Sequence, residues 1–200
     1  MEIQNRPAGQ LALWTAAVVN VAVFLLMSAE FEGVRFSAQQ AAQWGAVYRP
    51  LVVEGELWRL LAANYIHFDL KHILFNMMAL ISWGGPVADK FGFLRFGILY
   101  TISGLAASLA SLLTHPNTVC AGASGPISGV LGCLIALYWG GDKSLSGSGL
   151  FQAVLYTAIY SLIMPSIDWQ AHAGGFIAGI FLGAILLWSI PRPNPPVASE

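Results

Sequence analysis

Apolar runs of membrane-spanning length, separated by short polar breaks, make up most of this chain. Crossing the hydrocarbon takes about 20 apolar residues, and six stretches approach that length: 11–29, 70–87, 93–113, 122–140, 149–164 and 171–190. The pattern predicts an all-α membrane protein, a bundle of six transmembrane helices forming a single domain over residues 1–200. The fifth stretch is short and ends at Pro165, which disfavours further helix, and the second and fourth carry polar residues that lower their hydropathy. The first is longer than a signal-peptide apolar region, has only Arg6 before it and no small residue three before Ala29, so a retained helix is expected.

Nearly forty residues lie between the first two stretches, too many for a simple connection. Phe36, Trp44, Tyr48 and Trp58 within them suit a structured first loop at the membrane interface. The tail 191–200, with four prolines, is expected to be disordered.

An even number of spans puts both termini on one side. Lys90, Arg95 and Lys143 fall in the connections of that side and Arg6 and Arg192 in the tails, while 115–121 and 165–170 hold no Lys or Arg. The terminal side is therefore expected to be cytoplasmic. The chain is 56% hydrophobic and only 10% charged, against about 25% charged in soluble domains, which makes the lipid bilayer its expected surroundings. A net charge of −1 without a basic run gives no source of phosphate neutralisation, so nucleic acid is not an expected partner. Cys120 and Cys133 show no spacing motif for a disulfide or a metal. The compact sequence points to a bacterial cytoplasmic membrane, and nothing in it reports an oligomeric state.

Against this background a few polar residues stand out: His72 and Asn76 in the second stretch, Ser124 in the fourth and His172 in the sixth. A charged residue at a helix centre costs roughly 2.5 to 3.5 kcal/mol, and intramembrane polar groups commonly face a wet cavity and mark function. Spans two, four and six all begin on the outer side, so these groups lie at comparable depth. His72 and Asn76, at i and i+4, share one helix face, with Asn76 about 6 Å deeper. His172, Gly175, Gly179 and Gly183 form a stripe that permits close helix approach, and Gly125, Gly129 and Gly132 form another, with Pro126 suited to a first helical turn. Packing of the two stripes would bring Ser124 to His172. A serine hydroxyl becomes an effective nucleophile when an imidazole accepts its proton. The Ser124 N–H with His72 and Asn76 offers donors for an oxyanion. No acid is evident to complete a triad.

Trp58-Arg59, His67 with His72-Ile73-Leu74-Phe75-Asn76, Gly122-Ala123-Ser124-Gly125, and Ala171-His172-Ala173-Gly174-Gly175 followed by Gly179 occur in that order. Together, over nearly the whole chain, they resemble the signatures of the rhomboid family of intramembrane serine proteases. The resemblance implies a six-helix core with Ser124 as nucleophile, His172 as general base and His72 and Asn76 as oxyanion donors. It implies a water-filled cavity open to the outer side, which a single-span transmembrane substrate enters between helices two and five. Trp58 and Arg59 would brace the first loop, residues 165–170 would cap the site, and Gly122, Gly125, Gly175 and Gly179 would serve structure. No metal or cofactor is called for. Many members carry an aromatic residue four positions after the serine, stacked on the histidine, where this chain has Ser128. Pro126 also replaces a small apolar residue.

Each residue has a plainer reading. A lone serine in an apolar helix ordinarily bonds a carbonyl one turn back, and His72 with Asn76 suits an interhelical hydrogen-bond pair. His67 fits a structural role, His115 a solvated loop, and Trp58 with Arg59 an interfacial anchor. A metalloprotease lacks its His-Glu-x-x-His, and a soluble hydrolase elbow needs Gly where Pro126 stands. A rhomboid-like pseudoprotease, or another non-enzymatic binder of transmembrane segments, is the alternative to an enzyme.

Overall fold

The computed structural model describes residues 7–163 and 168–189, almost all of the helical core. The chain runs through α1 (Pro7–Glu30), α2 (Ala38–Trp44), α3 (Arg49–Val53), α4 (Arg59–Ala62), a 3-10 turn (Ala63–Tyr65), α5 (Leu70–Thr114), α6 (Ser124–Trp139), α7 (Gly147–Ile163) and α8 (Trp169–Trp188). It is an all-α membrane bundle. Among the described residues three helices are each long and apolar enough to cross a bilayer, α1, α5 and α8, whereas α6 and α7 are shorter apolar helices. The proline-rich tail and the first part of the expected cap, 165–167, lie outside the described residues.

The second and third apolar stretches are one element interrupted at Gly92, whose φ of 77° and ψ of −177° suit only glycine. In a straight helix Gly84 and Phe96 would stand about 18 Å apart, yet a Cβ on Gly84 would lie 3.5 Å from the Phe96 ring. The chain therefore folds back on itself at Gly92. With the halves of α5 taken separately, the described residues hold six apolar helical segments. The fourth begins at Ser124 rather than 122, because Gly122 has φ +142° and belongs to the preceding loop.

Nearly every residue of α6 from Gly125 to Leu137 is buried, which makes this helix the centre of the bundle. Leu80, Val87, Phe96, Leu99, Val130, Leu131, Leu134 and Leu137 form the main core. α1 packs on α5 so closely that a Cβ on Gly9 would strike the Ala88 carbonyl. Asn20, fully buried on α1, donates to the Ala16 carbonyl and to the Tyr100 hydroxyl of α5. At the opposite end from the loop before α6, Lys90 and Asp142 pair at 2.9 Å.

The first loop is folded. Ser37 and Gln40 form a reciprocal capping box that starts α2, and Gly45 at φ +108° ends it. Pro50 lies in the first turn of α3. Phe24, Met27, Phe36, Ala41, Ile66 and Ile73 make a second core that fixes the loop to α1 and to the start of α5.

Candidate active site

The loop entering α6 is sewn to the first loop before Ser124 appears. Val47 and Cys120 exchange N–H to O bonds of 2.9 Å, and the Gly122 N–H donates to the Ala63 carbonyl at 2.9 Å. The Ala123 N–H donates to Nε2 of His67 at 3.4 Å. His67 is fully buried, and its pKa is lowered to about 3, first by burial and then by nearby His72, against the opposing pull of the Tyr65 backbone. A neutral ring keeps Nε2 available as an acceptor. His67 thus has the structural role its position predicted.

At Gly122 two of the predicted site side chains come together. A Cβ there would lie 2.9 Å from Cε1 and Nε2 of His72 and 3.5 Å from Ser124 Oγ. Any side chain at this position would displace one of them, and the left-handed φ independently demands glycine. His72 stands in the first turn of α5, where Asp69 accepts its N–H at 2.8 Å. Its ring meets His67 edge to face at 4.9 Å and stacks over Phe68. Asn76, one turn further, is buried, and its Nδ2 has no hydrogen-bond partner among the described residues.

His172 reaches the same end of the bundle through glycine packing. A Cβ on Gly175 would strike the Gly125 carbonyl and one on Gly179 the Gly129 carbonyl, so α6 and α8 touch backbone to backbone. Gly125 follows Ser124 directly, and Gly175 lies one turn after His172. Asp168 caps α8 by accepting the Ala171 N–H at 2.9 Å and faces His115 Nδ1 at 3.6 Å. His115 is half-buried in this contact, more enclosed than a solvated loop residue.

Among the described residues no hydrogen bond joins Ser124 to His172. Nδ1 of His172 pairs with Ser161 Oγ of α7 at 2.7 Å. Ser161 does not stand out in the sequence, since Tyr156, Thr157 and Tyr160 also carry hydroxyls in the same apolar stretch.

Arg59 is 5% exposed. It donates to the carbonyls of Ala42 and Ala46 where α2 ends, pairs with Glu56 at 2.7 Å, and lies 4.9 Å from the Trp58 ring. That ring is half exposed and covers Gly45, leaving no room for a Cβ there. These two residues hold α2 against α4, within the loop that positions His67 and Gly122.

A bundle of apolar helices with serine, histidine and asparagine gathered at one end defines a class of multi-pass membrane proteins with a polar site inside the helical core. The rhomboid domain family model matches residues 54–189, and the chain belongs to the rhomboid family. It is similar to RHOMBOID-like protein 5 of Arabidopsis thaliana, 37% identical over 155 residues, covering 72% of this chain and 48% of that one. Rhomboid protease GluP of Bacillus subtilis (strain 168) is 30% identical over 176 residues, 86% of this chain and 34% of that one. Rhomboid-like protease 1 of Toxoplasma gondii is 29% identical over 157 residues, 74% of this chain and 54% of that one. The chain spans about half, or less, of the length of these relatives.

Proposed function

We propose that the protein is an intramembrane serine endopeptidase, one domain over residues 1–200, that hydrolyses peptide bonds in or near transmembrane segments. The observation that carries this reading is the backbone contact of Gly125 with Gly175, which brings Ser124 and His172 to one end of the bundle beside His72. Ser124 Oγ attacks the scissile carbonyl while Nε2 of His172 takes its proton. The Ser124 N–H, His72 and Asn76 receive the oxyanion, where loss of one donor typically costs about 2.7 to 4 kcal/mol. The protonated imidazole then gives its proton to the leaving amine, and water attacks the acyl-enzyme by the same route.

Depth follows from helix length. Sixteen residues of α6 span about 24 Å, short of a hydrocarbon layer of about 30 Å. Its far end meets the charged Lys90–Asp142 pair, which belongs in water. The Ser124 end therefore stops inside the membrane, under the folded first loop. Six crossings, with the α5 hairpin counted as two, leave both termini on the cytoplasmic side, in a bacterial inner membrane. The substrate is a single-span membrane protein, cut at small residues in helix-destabilising sequence.

Cleavage of a transmembrane reporter in liposomes tests this. Wild type is expected to cut it, and Ser124→Ala and His172→Ala are expected to be inert; turnover by the serine variant would refute the mechanism. A non-enzymatic binder of transmembrane segments is the second reading, favoured by the lack of a Ser124–His172 hydrogen bond among the described residues. Covalent labelling of Ser124 by a fluorophosphonate separates the two.

A further inference from the structure

A base that takes a proton from Ser124 through Nε2 must carry its own hydrogen on Nδ1, and something must hold that hydrogen and the ring plane. An aromatic ring four residues after the nucleophile would do part of this, but Ser128 stands there. The neighbouring carboxylate makes its contacts through Oδ1, which accepts the Ala171 N–H and faces His115, while the buried Oδ2 of Asp168 has no hydrogen-bond partner among the described residues. Asp168 and His72 are the titratable groups within electrostatic reach of His172, and neither is hydrogen-bonded to it among the described residues. What Nδ1 does meet is Ser161 Oγ, at 2.7 Å. Ser161 is 6% exposed, whereas Leu155, Tyr156 and Ile159 of the same helix are largely exposed. This hydroxyl is turned into the bundle from a helix whose apolar face looks outward.

We propose that Ser161 is a positioning residue for His172: in the Nδ1–H form its oxygen accepts from Nδ1, holds the ring plane and leaves the Nε2 lone pair for the Ser124 proton. The inference rests on the dyad proposed above. As the bond from Ser124 Oγ to the carbonyl carbon forms, the hydroxyl proton moves to Nε2, and the imidazolium keeps its Nδ1–H on Ser161. When the C–N bond breaks, that proton leaves with the amine. Ser161 exchanges no proton, so its contribution is orientation and stabilisation of the charged ring. Without it Nδ1 loses its partner and the ring plane is no longer held. Because Ser161 rides on α7, the seating of α7 against α8 sets the aim of the base.

The test uses the full chain in liposomes with a transmembrane reporter, comparing wild type, Ser161→Ala and Ser161→Thr, with Ser124→Ala as the blank. Ser161→Ala is expected to lower kcat about tenfold, equivalent to about 1.4 kcal/mol, with KM changed less than about twofold. It is also expected to slow fluorophosphonate labelling by a like factor and to displace the acidic limb of the kcat–pH profile. Ser161→Thr, which restores a hydroxyl, is expected to recover most of the rate. If Ser161→Ala does not fold, Ser161→Cys, with a poor acceptor in the same volume, is read in its place. A wild-type kcat and pH profile in either variant, while Ser124→Ala is inert, would overturn the positioning role and leave the dyad standing. Turnover by Ser124→Ala would remove the dyad and this inference together.

Discussion

Replacing Gly179 by alanine adds one methyl group where none fits. The new Cβ would press on the Gly129 carbonyl oxygen and lie within 2.6 Å of Gly129 Cα, and backbone cannot swing aside as a side chain can. Overpacking of this kind costs about 1 to 3 kcal/mol, and contact with rigid backbone belongs at the upper end. For a chain of this size that loss lowers Tm by about 5 to 10 °C. Relief requires α8 to move away from α6, carrying His172 with it. With His172 as the proposed base, a misplacement of about 1 Å would cost on the order of a hundredfold in rate. Gly97→Ala is the control, since beyond its own helix backbone and chain neighbours no atom lies within 4 Å of the added Cβ. Thermal melting in detergent and reporter cleavage in liposomes are the assays. A Gly179→Ala protein as stable and active as the Gly97→Ala control would refute the claim that the glycine contact sets the site.

Arg59→Ala is expected to leave the Ala42 and Ala46 carbonyls and Glu56 without their buried donor, costing about 2 to 4 kcal/mol; unchanged melting would show that these bonds do not hold the loop. His67, with its native pKa lowered to about 3, binds a proton in the unfolded chain before it does in the folded one. Its contribution to stability is complete above the ordinary histidine value of about 6.5 and is lost as pH falls toward about 3. His67→Gln, which keeps an acceptor for the Ala123 N–H, is expected to flatten that acid decline in a melting series; an equally steep decline would place the cause elsewhere.

Much of this architecture can be read from the sequence because lipid imposes long apolar runs, and each of the six predicted stretches corresponds to a helical segment. The glycine spacings of residues 125–132 and 175–183 revealed which helices touch, since only a bare backbone permits such approach. Gly92 was less legible, as one glycine among many gives no sign of the fold-back it permits. Within the first loop, the aromatic positions signalled structure, but the bonds from Arg59 to two carbonyls depend on tertiary contacts that no local pattern encodes. Ser161 was unreadable for the same reason. Its meaning comes from lying 2.7 Å from a ring eleven residues away, on a different helix.

The pieces that hold the site differ in stiffness, and the difference follows from their chemistry. Ser124 and His172 belong to helices locked at Gly125–Gly175 and Gly129–Gly179, where movement means breaking continuous backbone contact. The loop before Ser124 is fixed by four hydrogen bonds to the first loop, at Val47, Ala63 and His67. The link from α7 to His172 is of another kind, a side-chain hydrogen bond of the sort worth about 1 kcal/mol net. A shift of α7 can therefore release the imidazole while α6 and α8 remain packed. On the proposed reading, the nucleophile and its oxyanion donors are built into the rigid core, and the aim of the base is set by a helix that yields at far lower cost.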